Sequence, residues 1–209
     1  MSDTSSTGNP RRRQIRDILA VVVLSLTAVF TAWCGFESSK WGGEMSIAFS
    51  QASSARVQAT NFEGQARDAR QLDLTVYASW INAKAQGDDR LADYVEARFT
   101  PTFAVAFDAW QVGGMVEDSP FAREEYVPAG SLEAAELSLR ADERFATALE
   151  NNQRGDNYTL LTVLFALVLF LTALSQRGTK EWIGWTLLGL ALVTDVVAIS
   201  IMLTFPIKI

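Results

Sequence analysis

The chain has 209 residues, 49% of them hydrophobic and 20% charged, with six Trp, one Cys and no His. The lack of His excludes His-based triads and His-ligated zinc or haem, and the single Cys34 makes neither an intrachain disulfide nor a multi-thiolate metal site. A net charge of −6 leaves no basic footprint, so nucleic acid is not an expected partner.

Segregation of apolar residues excludes a soluble globular reading. In chain order, residues 1–16 are polar and then basic, ending in Arg11, Arg12, Arg13 and Arg16, and read as a disordered cytoplasmic tail. Residues 17–36 form the first membrane span, since Ile18 to Phe36 carries no charge and ~20 apolar residues cross a hydrocarbon core ~30 Å thick. The run is too long for the apolar core of a signal peptide, and Trp33-Cys34 offers no small-residue cleavage site, so the anchor is expected to be retained.

Residues 37–156 hold 20 acids and 11 bases and read as an extracytoplasmic helical domain. Met45, Phe49, Ala52, Ala59, Phe62, Ala66, Ala69, Val76 and Trp80 recur at helical spacing, with Gly42, Gly43 and Gly64 the only breakers. Gly87-Asp88-Asp89 is a stop followed by an N-cap signal. A second helix then carries Leu91, Val95, Phe99, Phe103 and Phe107 at i+4 spacing, and Pro101 should kink or split it. Residues 113–130 are a Gly- and Pro-rich loop. Ser131 opens a third helix with Leu132, Ala135, Leu139, Ala146 and Leu149 on its apolar face.

At ~1.5 Å per residue, a helix over residues 37–86 rises roughly 75 Å and the two later helices return roughly 36 and 39 Å. Two forms satisfy these lengths: a stalk with one long helix opposed end to end by two shorter ones, or a compact bundle folded at Gly64. The elongated form is favoured, and aromatic residues from Tyr77 and Trp80 to Trp110 are expected to form its core. Residues 157–176 and 182–207 are the second and third spans. Bases precede the first span, and Arg177 and Lys180 lie between the last two, which places the N-terminus inside and the C-terminus outside. The fold class expected is thus an all-α membrane protein with three spans and an elongated external helical insertion between the first and second.

Asp195, in the middle of the third apolar run, is the most informative residue. An acid at mid-bilayer costs about 2.5–3.5 kcal/mol on insertion scales and normally faces a bundle interior. Ser25 and Thr27 lie at similar depth and are its expected polar contacts. Ala28 and Ala32 in the first span, with Gly184 and Gly189 in the third, permit close helix packing. Ser38-Ser39-Lys40 has no catalytic spacing and Glu124-Glu125 point differently on any regular element. No catalytic residue, cofactor or metal is therefore expected.

The stretch Trp33-Cys-Gly-Phe-Glu-Ser-Ser-Lys-Trp41 with its following SQASSARVQA helix, together with Trp80-Ile-Asn-Ala, Phe107-Asp-Ala-Trp110 and Ser119-Pro-Phe, resembles uncharacterised bacterial inner-membrane proteins of domain-of-unknown-function type. That resemblance covers residues 17 to 205, implies a bacterial inner-membrane location and supplies no catalytic residue. The expected role is a non-catalytic structural or accessory subunit in the lipid bilayer whose external helices mediate self-association or partner binding, in a homo-oligomer or a larger complex. The alternative is a transport or sensing component using Asp195 or the external bundle.

Overall fold

The computed structural model describes residues 10–177 and 180–208, and all regular structure among them is helical. The elements are α1 (Pro10–Ala85), α2 (Asp89–Glu96), α3 (Pro101–Val112), a short 3-10 turn (Pro120–Ala122), α4 (Ser131–Ser175) and α5 (Glu181–Met202). Two compact units share α1 and α4: the described residues up to 48 with those from 146 onward, and residues 49–145. Helices α1, α4 and α5 are each long and apolar enough to cross a membrane.

The first unit is a three-helix arrangement whose buried positions step by three and four. They include Ala20, Val23, Thr27, Cys34, Glu37 and Trp41 on α1, Tyr158, Leu161, Phe165 and Val168 on α4, and Gly184, Leu188, Ala191, Asp195 and Ala198 on α5. This 3.5-residue period is that of helices packed at shallow crossing angles. Off that seam the side chains remain apolar yet exposed, as at Val29, Val163 and Val193, which suits a lipid surround and would be unfavourable in water. Trp41 and Tyr158 are buried inside this unit.

In the second unit, α1 is opposed first by α4 and then by α2, α3 and the loop. Phe49 meets the Phe145 ring at 6.0 Å, Arg56 pairs with Asp142, and Gly130 abuts the Phe62 carbonyl, so the α1–α4 register is antiparallel. Further along α1, Tyr77, Trp80 and Ala83 pack on Ala92, Phe103, Ala106, Phe107, Trp110 and Tyr126. Both indoles in this core are satisfied, Trp80 Nε1 donating to Glu96 at 3.1 Å and Trp110 Nε1 to the Glu117 carbonyl at 2.7 Å.

The local signals act as their chemistry requires. Asp88 caps α2 by accepting from the Leu91 amide, and Pro101 splits the second helix, with Thr100 capping α3 and proline at a first-turn position where no N–H is needed. Other expectations change. Residues 10–16 belong to α1 rather than to a disordered tail, while residues 1–9 of that reading lie outside the described residues. Helix α1 runs unbroken through Gly42, Gly43 and Gly64, so a fold at Gly64 does not occur. Helix α4 continues through residues 156 and 157 without a break.

Helix α5 ends at Met202 rather than 207, because Pro206 cannot continue a helical ladder. The apolar face expected for the third helix is the wrong one. Leu132 and Leu139 are 69% and 66% exposed, whereas Ala134, Ala141 and Ala148 are buried, small side chains being what close helix approach demands. Phe49 is likewise exposed while Ala48, Ala52 and Ala55 are buried. Tyr94, expected in the aromatic core, lies outside it.

Candidate functional site

The polar groups set among the apolar helices of the first unit define three centres. At the first, Thr27 Oγ1 on α1 donates to Asp195 Oδ1 on α5 at 3.1 Å, with Thr27 fully buried and Asp195 6% exposed. Both residues fall on the seam, so the carboxyl is turned inward and held by a neighbouring helix. Ser25 is not a partner: it is exposed, and its hydroxyl donates to the Val21 carbonyl of its own helix at 2.8 Å. Two residues along a helix turn a side chain by about 200°, which puts Ser25 away from Thr27.

The second centre is Arg16, buried against the C-terminal end of α4 and the first turns of α5. A Cβ at Gly184 would stand 2.5 Å from Arg16 Nη1 and 3.0 Å from the Ser175 carbonyl oxygen, so glycine makes room for the guanidinium. A cation beside the carbonyl end of a helix is favourably placed against its dipole. Gly184 is buried in this packing, whereas Gly189, Ala28 and Ala32 are not. All three are exposed, and a Cβ at Gly189 would meet nothing within 4 Å. The seam passes through 184, 188 and 191 on α5 and through 23, 27 and 34 on α1, leaving those three residues on outward faces.

The third centre was not legible as a site. Glu37 is fully buried, and its Oε2 accepts the Lys208 backbone N–H at 2.9 Å. One turn on, Trp41 lies under the Arg154 guanidinium at 4.7 Å, and Lys208 Nζ reaches Glu44 at 3.3 Å. Tyr158 donates its hydroxyl to the Pro206 carbonyl at 3.1 Å and carries the Phe205 ring edge-on. Residues 203–208, once past the end of α5, are thus strapped across α1 and α4. In the sequence Glu37 is the first charged residue after the apolar run of residues 18–36. The available signal was its spacing, since 34, 37 and 41 share one helix face.

The second unit has its own buried acid. Asp73 Oδ1 accepts from Thr100 Oγ1 at 2.7 Å and Oδ2 accepts from the Tyr126 hydroxyl at 3.0 Å. Burial, and then the Asp73 contact, push the Tyr126 phenol well above its ordinary range, so it stays a donor. In the loop, Arg123 binds Glu117 and Glu125 and holds both carboxyls below their usual range through those hydrogen bonds.

Chemically, these groups join helices. Among the described residues no three acidic or thiol side chains converge as metal ligands. The fold and these centres define an all-helical chain with three helices apolar enough to span a membrane and polar contacts between them. No family model, curated protein or solved structure matches it.

Proposed function

We propose that this is a non-catalytic integral membrane protein of the bacterial inner membrane, a structural or accessory subunit that associates with further copies of itself through the unit formed by residues 49–145. In this reading the N-terminus is cytoplasmic and the C-terminus extracytoplasmic. Arg11, Arg12, Arg13 and Arg16 at one end of α1 and Arg177 and Lys180 between α4 and α5 support that orientation.

The observation that carries association is the misplaced stripe on the second unit. Phe49 and Val57 on α1 and Phe145 on α4 are exposed and line one groove of about 450 Å³, while Leu132 and Leu139 stand free on α4. Large apolar side chains left out of a core, beside alanines placed in it, are the pattern of a surface that a partner covers. The Asp195–Thr27 contact supports a helix-joining role for that acid, since it is met by one hydroxyl and no relay of titratable groups adjoins it among the described residues.

Sedimentation of the detergent-purified chain tests the proposal. An oligomer is expected, and Leu139→Glu with Phe145→Glu should convert it to monomer by burying charge in the contact. A monomeric wild-type chain, or an oligomer indifferent to both substitutions, would contradict it.

A further inference from the structure

The side of the α1–α4 pair lined by Gln51, Ser54, Gln58, Arg140 and Arg144 is chemically unlike the apolar groove. These residues surround a cleft of about 230 Å³ floored by Ala55 and Leu137, with no carboxylate in its lining. That is unexpected in a block with 20 acids and 11 bases. Arg140 and Arg144 stand one turn apart on α4, and neither makes an ion pair among the described residues. Like charges at this spacing repel by a few tenths of a kcal/mol.

We propose that this cleft binds a small polyvalent oxyanion, one bearing carboxylate or phosphate groups. Guanidinium groups present planar forks of donors that match either group bidentately. Across from them Ser54 Oγ already accepts from Gln58 Nε2 at 3.2 Å, which leaves the serine O–H to donate into the cleft. Gln51 adds an amide donor. The opposing rims are thus donor-rich, two of the donors are cationic, and the space suits a molecule of citrate or pyrophosphate size rather than a polymer. The site lies apart from the Phe49–Phe145 groove, so it stands or falls independently of self-association.

Equilibrium dialysis of the full chain in a neutral detergent at low ionic strength, with radiolabelled citrate and radiolabelled pyrophosphate, tests the proposal. Saturable binding of at least one is expected, weakening as salt is added because the site is open to solvent. Preference between the two separates a carboxylate from a phosphate ligand. Arg140→Gln or Arg144→Gln should each weaken binding about tenfold, the worth of a charge-assisted hydrogen bond, and the double variant should abolish it. Arg67→Gln, outside the cleft, should bind as wild type, and Arg140→Lys should retain part of the affinity by keeping the charge. No saturable binding of either anion, or binding undiminished in the double variant, would overturn the proposal.

Discussion

Asp73 shows how a single residue ties sequence-distant segments together. Its carboxylate holds the N-cap of α3 through Thr100 and the loop through Tyr126. Asp73→Ala would leave two part-buried or buried hydroxyls without an acceptor, and the expected cost is about 1–3 kcal/mol. Asp73→Asn, which keeps one acceptor, should cost less, and thermal unfolding in detergent would show the order. Equal loss in both would contradict this account of the carboxylate. Asp195 is a different case. Asp195→Asn should preserve the fold, and Asp195→Leu should cost only about 0.6 kcal/mol, the average for interhelical hydrogen bonds in membranes. A proton flux in proteoliposomes that disappears in the Asn variant would refute the helix-joining role.

Arg123 supplies a pH-dependent term. Because Glu117 and Glu125 titrate lower in the fold than in the open chain, their contribution is present above the unfolded carboxylate range, about 4.3, and is lost as pH falls through the lower folded values. The unfolding temperature of Arg123→Gln should therefore trail wild type at neutral pH, with the gap closing in acid. A gap that stays constant across that range would disprove the linkage. Asp195 stood out in the sequence because a charge interrupts an apolar run. Glu37 and Asp73 did not, since both lie in polar stretches where burial leaves no compositional trace.

At the scale of elements, caps and breakers were legible: Asp88, Pro101 and Ser131 each begin or interrupt a helix where their local chemistry dictates. Which face of α4 is buried was not legible. Periodicity ranks Leu132 and Leu139 above Ala134 and Ala141 by hydrophobicity alone, but two long helices in close contact need small side chains between them. Helix α1 is continuous through Gly35, Gly42, Gly43 and Gly64 for another reason, since a Cβ at any of the four would meet nothing closer than 3.8 Å. Each glycine costs about 1 kcal/mol in a helix, which neighbouring packing offsets. Among the described glycines the tightest approach to backbone is at Gly130, at φ +89° with a Cβ position 2.9 Å from the Phe62 carbonyl. Gly130→Ala should destabilise by more than the roughly 1 kcal/mol typical of helix-interior glycine effects, since strain and clash add. Denaturant midpoints would measure it, and an unchanged midpoint would mean α4 enters differently.

For the whole molecule, three helices long and apolar enough to span a membrane were readable from composition, because hydrocarbon imposes a length and forbids charge. The surface chemistry of each unit follows the solvent it is read to meet: apolar side chains around the first, and 16 acids against 9 bases on the second, residues 49–145. The orientation rests on basic residues alone, so it is the claim most exposed to test. Cysteine variants Ser119→Cys and Gly178→Cys, each made with Cys34→Ser, should be treated with a membrane-impermeant maleimide in cells stripped of their outer barrier. Ser119→Cys should be labelled at once, and Gly178→Cys only after the membrane is opened. Labelling of Gly178→Cys in sealed cells, or protection of Ser119→Cys, would contradict the account.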